Sequence, residues 1–103
     1  MVEKSIVELR KEFKEEIEDG NNECEKLGYD PIGFKRMLEG EHPVEIAERF
    51  VVTADVQEGF KTLIKMNRPD LTLEAYVVKQ KYRRLFSSAA SESARWRLEN
   101  SQD

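Results

Sequence analysis

Ile6, Leu9, Phe13 and Ile17 fall at steps of three and four, and Cys24 and Leu27 continue the same stripe past the DGNN of positions 19–22. That period is the signature of one buried helix face, with Glu and Lys on the other. Ser5 stands where an N-cap belongs. Gly20 weakens a single helix by about 1 kcal/mol relative to Ala. The unbroken stripe nevertheless favours one helix to about Leu27 over two short ones. The chain also lacks the means to build a sheet. Its β-prone run is FVV (50–52), three residues with no partner run elsewhere. The pattern predicts an all-α fold: a compact bundle of five or six short helices with a long N-terminal helix.

The remaining helices are read from their punctuation. Gly28 closes the first as a left-handed residue beyond its end. Asp30-Pro31 restarts the chain, Asp as cap and Pro where no N–H is missed. This second helix runs to about Glu39 with Phe34, Met37 and Leu38 inward, and Gly40 ends it. Pro43 opens a third, striped by Val44, Ala47, Phe50 and Val51. A fourth spans about 55–66 with Val56, Phe60, Leu63 and Ile64 inward, ended by Asn67 and blocked by Pro69. Thr72 caps a fifth, with Glu74 in its first turn. Ala75, Val78, Tyr82 and Leu85 keep helical spacing, so 73–86 is one helix or two with a break near Gln80. Ser87 or Ser88 starts a last helix over about 88–99, striped by Ala90, Ala94 and Leu98. The tail at 100–103 frays.

At 103 residues there is one domain, 1–27 forming the long helix and 28–99 the helical core. No apolar run is long enough for a bilayer, and MVEKSIVELRKEF has no signal-peptide core. With a single cysteine, Cys24, no intrachain disulfide forms. Together these features point to a cytoplasmic protein. The net charge of −4 is unevenly spread: residues 1–58 hold 8 basic and 16 acidic residues, and residues 59–103 hold 9 basic and 5 acidic. Overall acidity argues against coating nucleic acid, while a basic second half permits a local basic face.

GYDPIGFKRML (28–38), EGF followed by Leu63, and RPDLTLEAYVVKQKYRRLF (68–86) together resemble a small helical module found alone or appended to larger chains in uncharacterised bacterial and archaeal proteins. The resemblance covers roughly residues 24–98. Its matching positions include Gly28, Tyr29, Pro31, Phe34, Gly59, Phe60, Arg68, Asp70, Leu71, Thr72, Glu74, Val77, Leu85 and Phe86. Here Asn67 replaces a glycine common in the relatives, and KQKYRRLF lacks a proline that some carry. The resemblance implies a fold and no activity.

Three groups of residues are candidates for a site. Arg68, Asp70, Thr72 and Glu74 read either as an anion site at a helix start or as a capped turn with Arg68 paired to Asp70 or Glu74. The second reading accounts for every residue type at this spacing. Lys79, Lys81, Arg83 and Arg84 flank Tyr82. They read as an anion or nucleic-acid contact or as a solvated face, and no stacking aromatic is interleaved with them. Trp96 lies about 200° from Ala94 around the last helix, off its buried stripe. It is offered to a partner, framed by Arg95 and Arg97, or it is buried on a second side.

His42, before Pro43, reads as a solvated linker residue, and Cys24 as a small core residue. The carboxylates of 12–25 read as solvent-facing. No catalytic set, cofactor or metal signature is present. The favoured function is a non-enzymatic protein-interaction or regulatory module binding another protein. A homodimer through the long helix fits this function, because its Ile6–Leu27 stripe would bury well against a second copy. The alternative is a nucleic-acid-binding protein using the basic half.

Overall fold

The computed structural model describes residues 4–30, 35, 39–52 and 58–100. Helix α1 spans Ile6–Lys26, α2 Pro43–Val52, α3 Glu58–Lys65, α4 Leu73–Val77 and α5 Ser88–Asn100, with 3₁₀ segments at Pro69–Leu71 and Gln80–Leu85. No strand occurs among the described residues, so the fold is all-α, led by a long N-terminal helix. The helix expected over 31–39, with Pro31, Phe34, Met37 and Leu38, lies outside the described residues apart from Lys35, and so do Val56 and the tail at 101–103. No described helix is long and apolar enough to cross a membrane.

Local chemistry sets the helix ends. The Glu8 N–H donates to Ser5 Oγ at 3.2 Å, capping α1. At the other end Gly28 takes a φ of 90°. Its N–H donates to Glu25 O at 3.0 Å, and the Tyr29 N–H donates to Cys24 O at 2.9 Å. These two bonds form the paired closure that a left-handed residue permits. The same closure recurs after α3. Asn67 has a φ of 61°, its N–H donates to Ile64 O at 3.0 Å, and the Arg68 N–H donates to Leu63 O at 2.8 Å. Asparagine tolerates this conformation better than other residues with a Cβ. His42 is more than a linker: it accepts the Val44 N–H on Nδ1 at 3.2 Å, and its carbonyl accepts from Glu45 and Ile46. It therefore caps α2, and burial followed by nearby Arg10 holds its pKa below the usual value.

The middle of the α1 stripe is consumed inside the molecule, while Ile6 and Leu27 at its ends stay exposed. Leu9, Phe13, Ile17, Gly20 and Cys24 are all buried. Most of the face expected to meet a second copy in a homodimer through α1 therefore already meets α2, α4 and the second 3₁₀ segment. Phe13 is the hub. Its ring meets Tyr82 edge-on at 5.1 Å, Phe86 at 5.3 Å and Tyr76 at 6.5 Å between centroids. Val44, Ala47 and Val51 of α2 and Ala90 and Ala94 of α5 complete the cluster. Ile46, absent from the expected stripe of α2, is fully buried as well.

Residues 73–86 do not form one helix. The chain leaves α4 at Val78, is extended at Lys79 (ψ 130°) and re-enters as a 3₁₀ turn. The break comes without a proline. It rotates the inward set from the expected Ala75, Val78, Tyr82 and Leu85 to Tyr76, Val77, Tyr82 and Phe86, leaving Ala75, Val78 and Leu85 half-buried.

At Gly20, α1 lies directly against the Tyr76 side chain of α4. A Cβ there would lie 2.4 Å from the Tyr76 hydroxyl oxygen. On propensity alone, Gly20→Ala should stabilise α1 by about 1 kcal/mol. The clash reverses the sign, and we expect a net loss of about 1–2 kcal/mol. In a Tyr76→Phe background, where that oxygen is gone, Gly20→Ala should cost less. Urea unfolding of the four proteins checks both statements, and equal effects in the two backgrounds would disprove the contact.

Candidate functional site

The Arg68–Glu74 group separates into two parts. Arg68 donates through Nε and Nη2 to the two carboxylate oxygens of Asp70, at 3.1 and 3.0 Å, and lies 3.7 Å from Glu23 at the end of α1. The Asp70 carboxyl is held below its usual value, first by this hydrogen bond. Thr72 is buried. Its hydroxyl donates to Pro69 O at 2.7 Å and accepts the Ala75 N–H at 3.1 Å. These contacts make a capped turn, with its polar atoms directed at one another.

Glu74 faces the other way. It is 3% exposed and meets Arg97, 5% exposed, at 3.2 Å. Arg97 also donates to Phe50 O at 3.0 Å. This overturns the placement of Arg97 beside Trp96 on a partner-binding surface: Arg97 points inward and holds α4 and the end of α2 to α5. Burial pushes the Glu74 carboxyl up despite the guanidinium beside it.

The basic stretch is largely turned toward α1. Lys79 donates to Glu16 at 2.6 Å and Lys81 to Glu12 at 2.9 Å. The Tyr82 hydroxyl donates to Glu16, and Arg84 reaches the Lys4 carbonyl at 2.8 Å. Glu12 and Glu16 are thus partners in a fixed network, a correction to their reading as solvent-facing carboxylates. Burial opposes ionisation of Glu16. Hydrogen bonds from Lys79, Lys81 and Tyr82 outweigh it and bring the carboxyl down to about 2.

Three arginines have no ion pair among the described residues: Arg84, whose guanidinium is taken up by the Lys4 carbonyl, Arg83 of the basic stretch and Arg95 of α5. Arg83 and Arg95 line an open cleft of about 620 Å³ between the second 3₁₀ segment and α5. Val77, Val78 and Phe86 supply its apolar wall, Lys79 a third cation and Glu92 its one acid. The fold thus joins Arg83 and Arg95, which the sequence placed in different candidate groups. Trp96, the next residue along α5, is 63% exposed, outside the core and outside the cleft.

The α5 N-terminus is already occupied. The Ser87 N–H and hydroxyl donate to the two oxygens of Glu48, at 3.0 and 2.6 Å, and Ser87 Oγ accepts the Ala90 N–H. Cys24 is buried, and burial raises its thiol pKa, so it is not poised as a thiolate. Among the described residues no three His, Cys, Asp or Glu side chains gather to hold a metal ion. No protein-family model, curated protein or solved structure matches the chain.

Two predictions follow from these contacts. Arg97→Met leaves Glu74 buried without its cation and should cost about 3–5 kcal/mol. Adding Glu74→Leu should recover part of that loss, read by denaturant unfolding. An Arg97→Met protein as stable as the parent would show that the pair is not buried in solution. The second prediction concerns acid. Glu16 has a folded value near 2 against an ordinary 4.5, so the unfolded chain takes up the proton first. Its stabilisation is present above pH 4.5 and is lost as pH falls toward 2. Glu12 and Asp70 are shifted in the same direction, and Glu74 in the opposite one. Glu16→Gln should therefore be less stable than the parent at neutral pH and show a shallower fall in melting temperature through that window.

Proposed function

We propose that this chain is a non-enzymatic interaction module that binds another protein through the outward face of α5. The observation that supports it best is Trp96. It is the largest apolar side chain here and the chain's only tryptophan, yet it stays 63% exposed on a helix whose Ala90 and Ala94 are fully buried. Tryptophan is enriched among residues that dominate binding energy at interfaces, where a ring of this size is removed from water. The exposed Arg95 beside it would add a polar rim.

The alternative draws on the basic half and makes the chain a nucleic-acid binder. Arg83 and Arg95 support it, while the pairing of Lys79 and Lys81 to α1 reduces the charge left for phosphates.

Trp96→Ala should leave the melting temperature unchanged within about 2 °C, since the side chain packs little in the fold. A pull-down from native lysate at low salt, with and without nuclease, should recover a protein that survives nuclease and is lost, by tenfold or more, with Trp96→Ala. Loss of folding in that variant would place the ring in the core. Recovery of nucleic acid alone would favour the alternative.

A further inference from the structure

We infer that the cleft between the second 3₁₀ segment and α5 is a docking groove for a short acidic, partly aliphatic peptide segment of another protein. This rests on the reading of α5 as a binding face and names the chemistry of what binds there.

Charge complementarity is the first argument. In a chain of net charge −4, where Lys79, Lys81 and Arg84 all have internal partners, Arg83 and Arg95 reach the same cleft with no ion pair among the described residues. Guanidinium groups pair with carboxylates through two parallel hydrogen bonds, which favours Asp or Glu at these positions. Lys79 adds positive potential even while bound to Glu16. The second argument is the wall. Val77 and Phe86 form the floor of the cleft, nearly covered by the core, and Val78 stands half-buried beside them, a small apolar strip that one aliphatic side chain would cover. An aliphatic residue between acidic ones satisfies both. The cleft borders α5 from Ser88 to Arg95, about 10 Å of helix at 1.5 Å per residue. That length takes about three residues of extended chain.

A polynucleotide fits less well. No exposed aromatic lines the cleft for base stacking, and the acidic first half repels a long polyanion more than a short peptide.

The test pans the full chain against short random peptides displayed on phage, in parallel with Arg83→Glu/Arg95→Glu and Trp96→Ala. Unfolding midpoints confirm that each variant folds. Should the charge reversal unfold, Arg83→Gln/Arg95→Gln takes its place. The parent should enrich Asp or Glu beside an aliphatic residue, and the charge-reversed protein Lys or Arg at that place. A peptide selected on the parent should bind the reversed protein at least about tenfold more weakly. Peptides that show no acidic preference, or that bind both proteins equally, would overturn the groove. If such peptides are lost with Trp96→Ala, the interaction module itself stands and only its groove falls. If no peptide is selected on any protein, both fall. Oligothymidine that binds in the same arginine-dependent manner and displaces the peptides would reassign the cleft to nucleic acid. Self-association abolished by the charge reversal would reassign it to a second copy.

Discussion

The buried pair of Glu74 and Arg97 fixes how this molecule is put together. Withdrawing two charges from water is costly, and the cost is offset only when geometry and further hydrogen bonds are good. Here Arg97 meets both Glu74 and the Phe50 carbonyl, so one side chain ties α5 to α4 and to the last turn of α2. The constraint sets rotation as well as position. With about 100° per residue, an inward Arg97 turns Trp96 toward solvent and Arg95 nearly opposite. The face proposed for binding is therefore a consequence of a structural ion pair, and the only tryptophan is outside because an arginine is inside.

The packing of α2 and α5 extends the same logic. The last carbonyls of any helix lack intrahelical donors, and cations are favoured near them. In α2 those of Phe50 and Val51 are served by Arg97 and by the Ser93 hydroxyl, both from α5. In return Glu48 of α2 accepts from the start of α5 at Ser87, where negative charge is favoured. Each helix supplies the charge that the other's end requires. Ala90 and Ala94, fully buried, keep the intervening surface small enough for the two to meet.

What the sequence made legible was local. Ser5, Gly28, Asn67 and Thr72 work within a few residues of themselves, and their side-chain chemistry announces a turn or a cap wherever they fall. The α1 stripe was legible because its positions repeat one period, and Leu9, Phe13, Ile17 and Cys24 are buried as that period requires, while Ile6 and Leu27 at its ends are not. Partnerships between distant residues were not. Nothing near Glu74 marks Arg97, 23 positions on, as its partner, and a first-turn glutamate ordinarily faces water at a helix start. Gly20 read as a flaw because its neighbour, the Tyr76 hydroxyl, is supplied by another helix. The cleft could not be foreseen for the same reason: it needs the break at Lys79 to turn Arg83 toward α5, and that break carries no proline or glycine.

The charge division of the chain has its explanation in that break. An acidic first half and a basic second half suggest two opposed surfaces, and a continuous helix over 73–86 would have kept the basic flank outward. The extended residue at Lys79 instead folds the stretch back on α1, where Lys79 and Lys81 neutralise Glu12 and Glu16. Internal pairing takes Lys79 and Lys81 out of the free positive surface of this stretch. Solvated lysines and arginines scattered over a surface imply nothing about partners. Two arginines that have no ion pair among the described residues, and that converge on one cleft near an exposed tryptophan, mark a place where the fold has left charge available. Short-range pairing with carboxylates can act there, while the net negative field still discourages long polyanions from approaching.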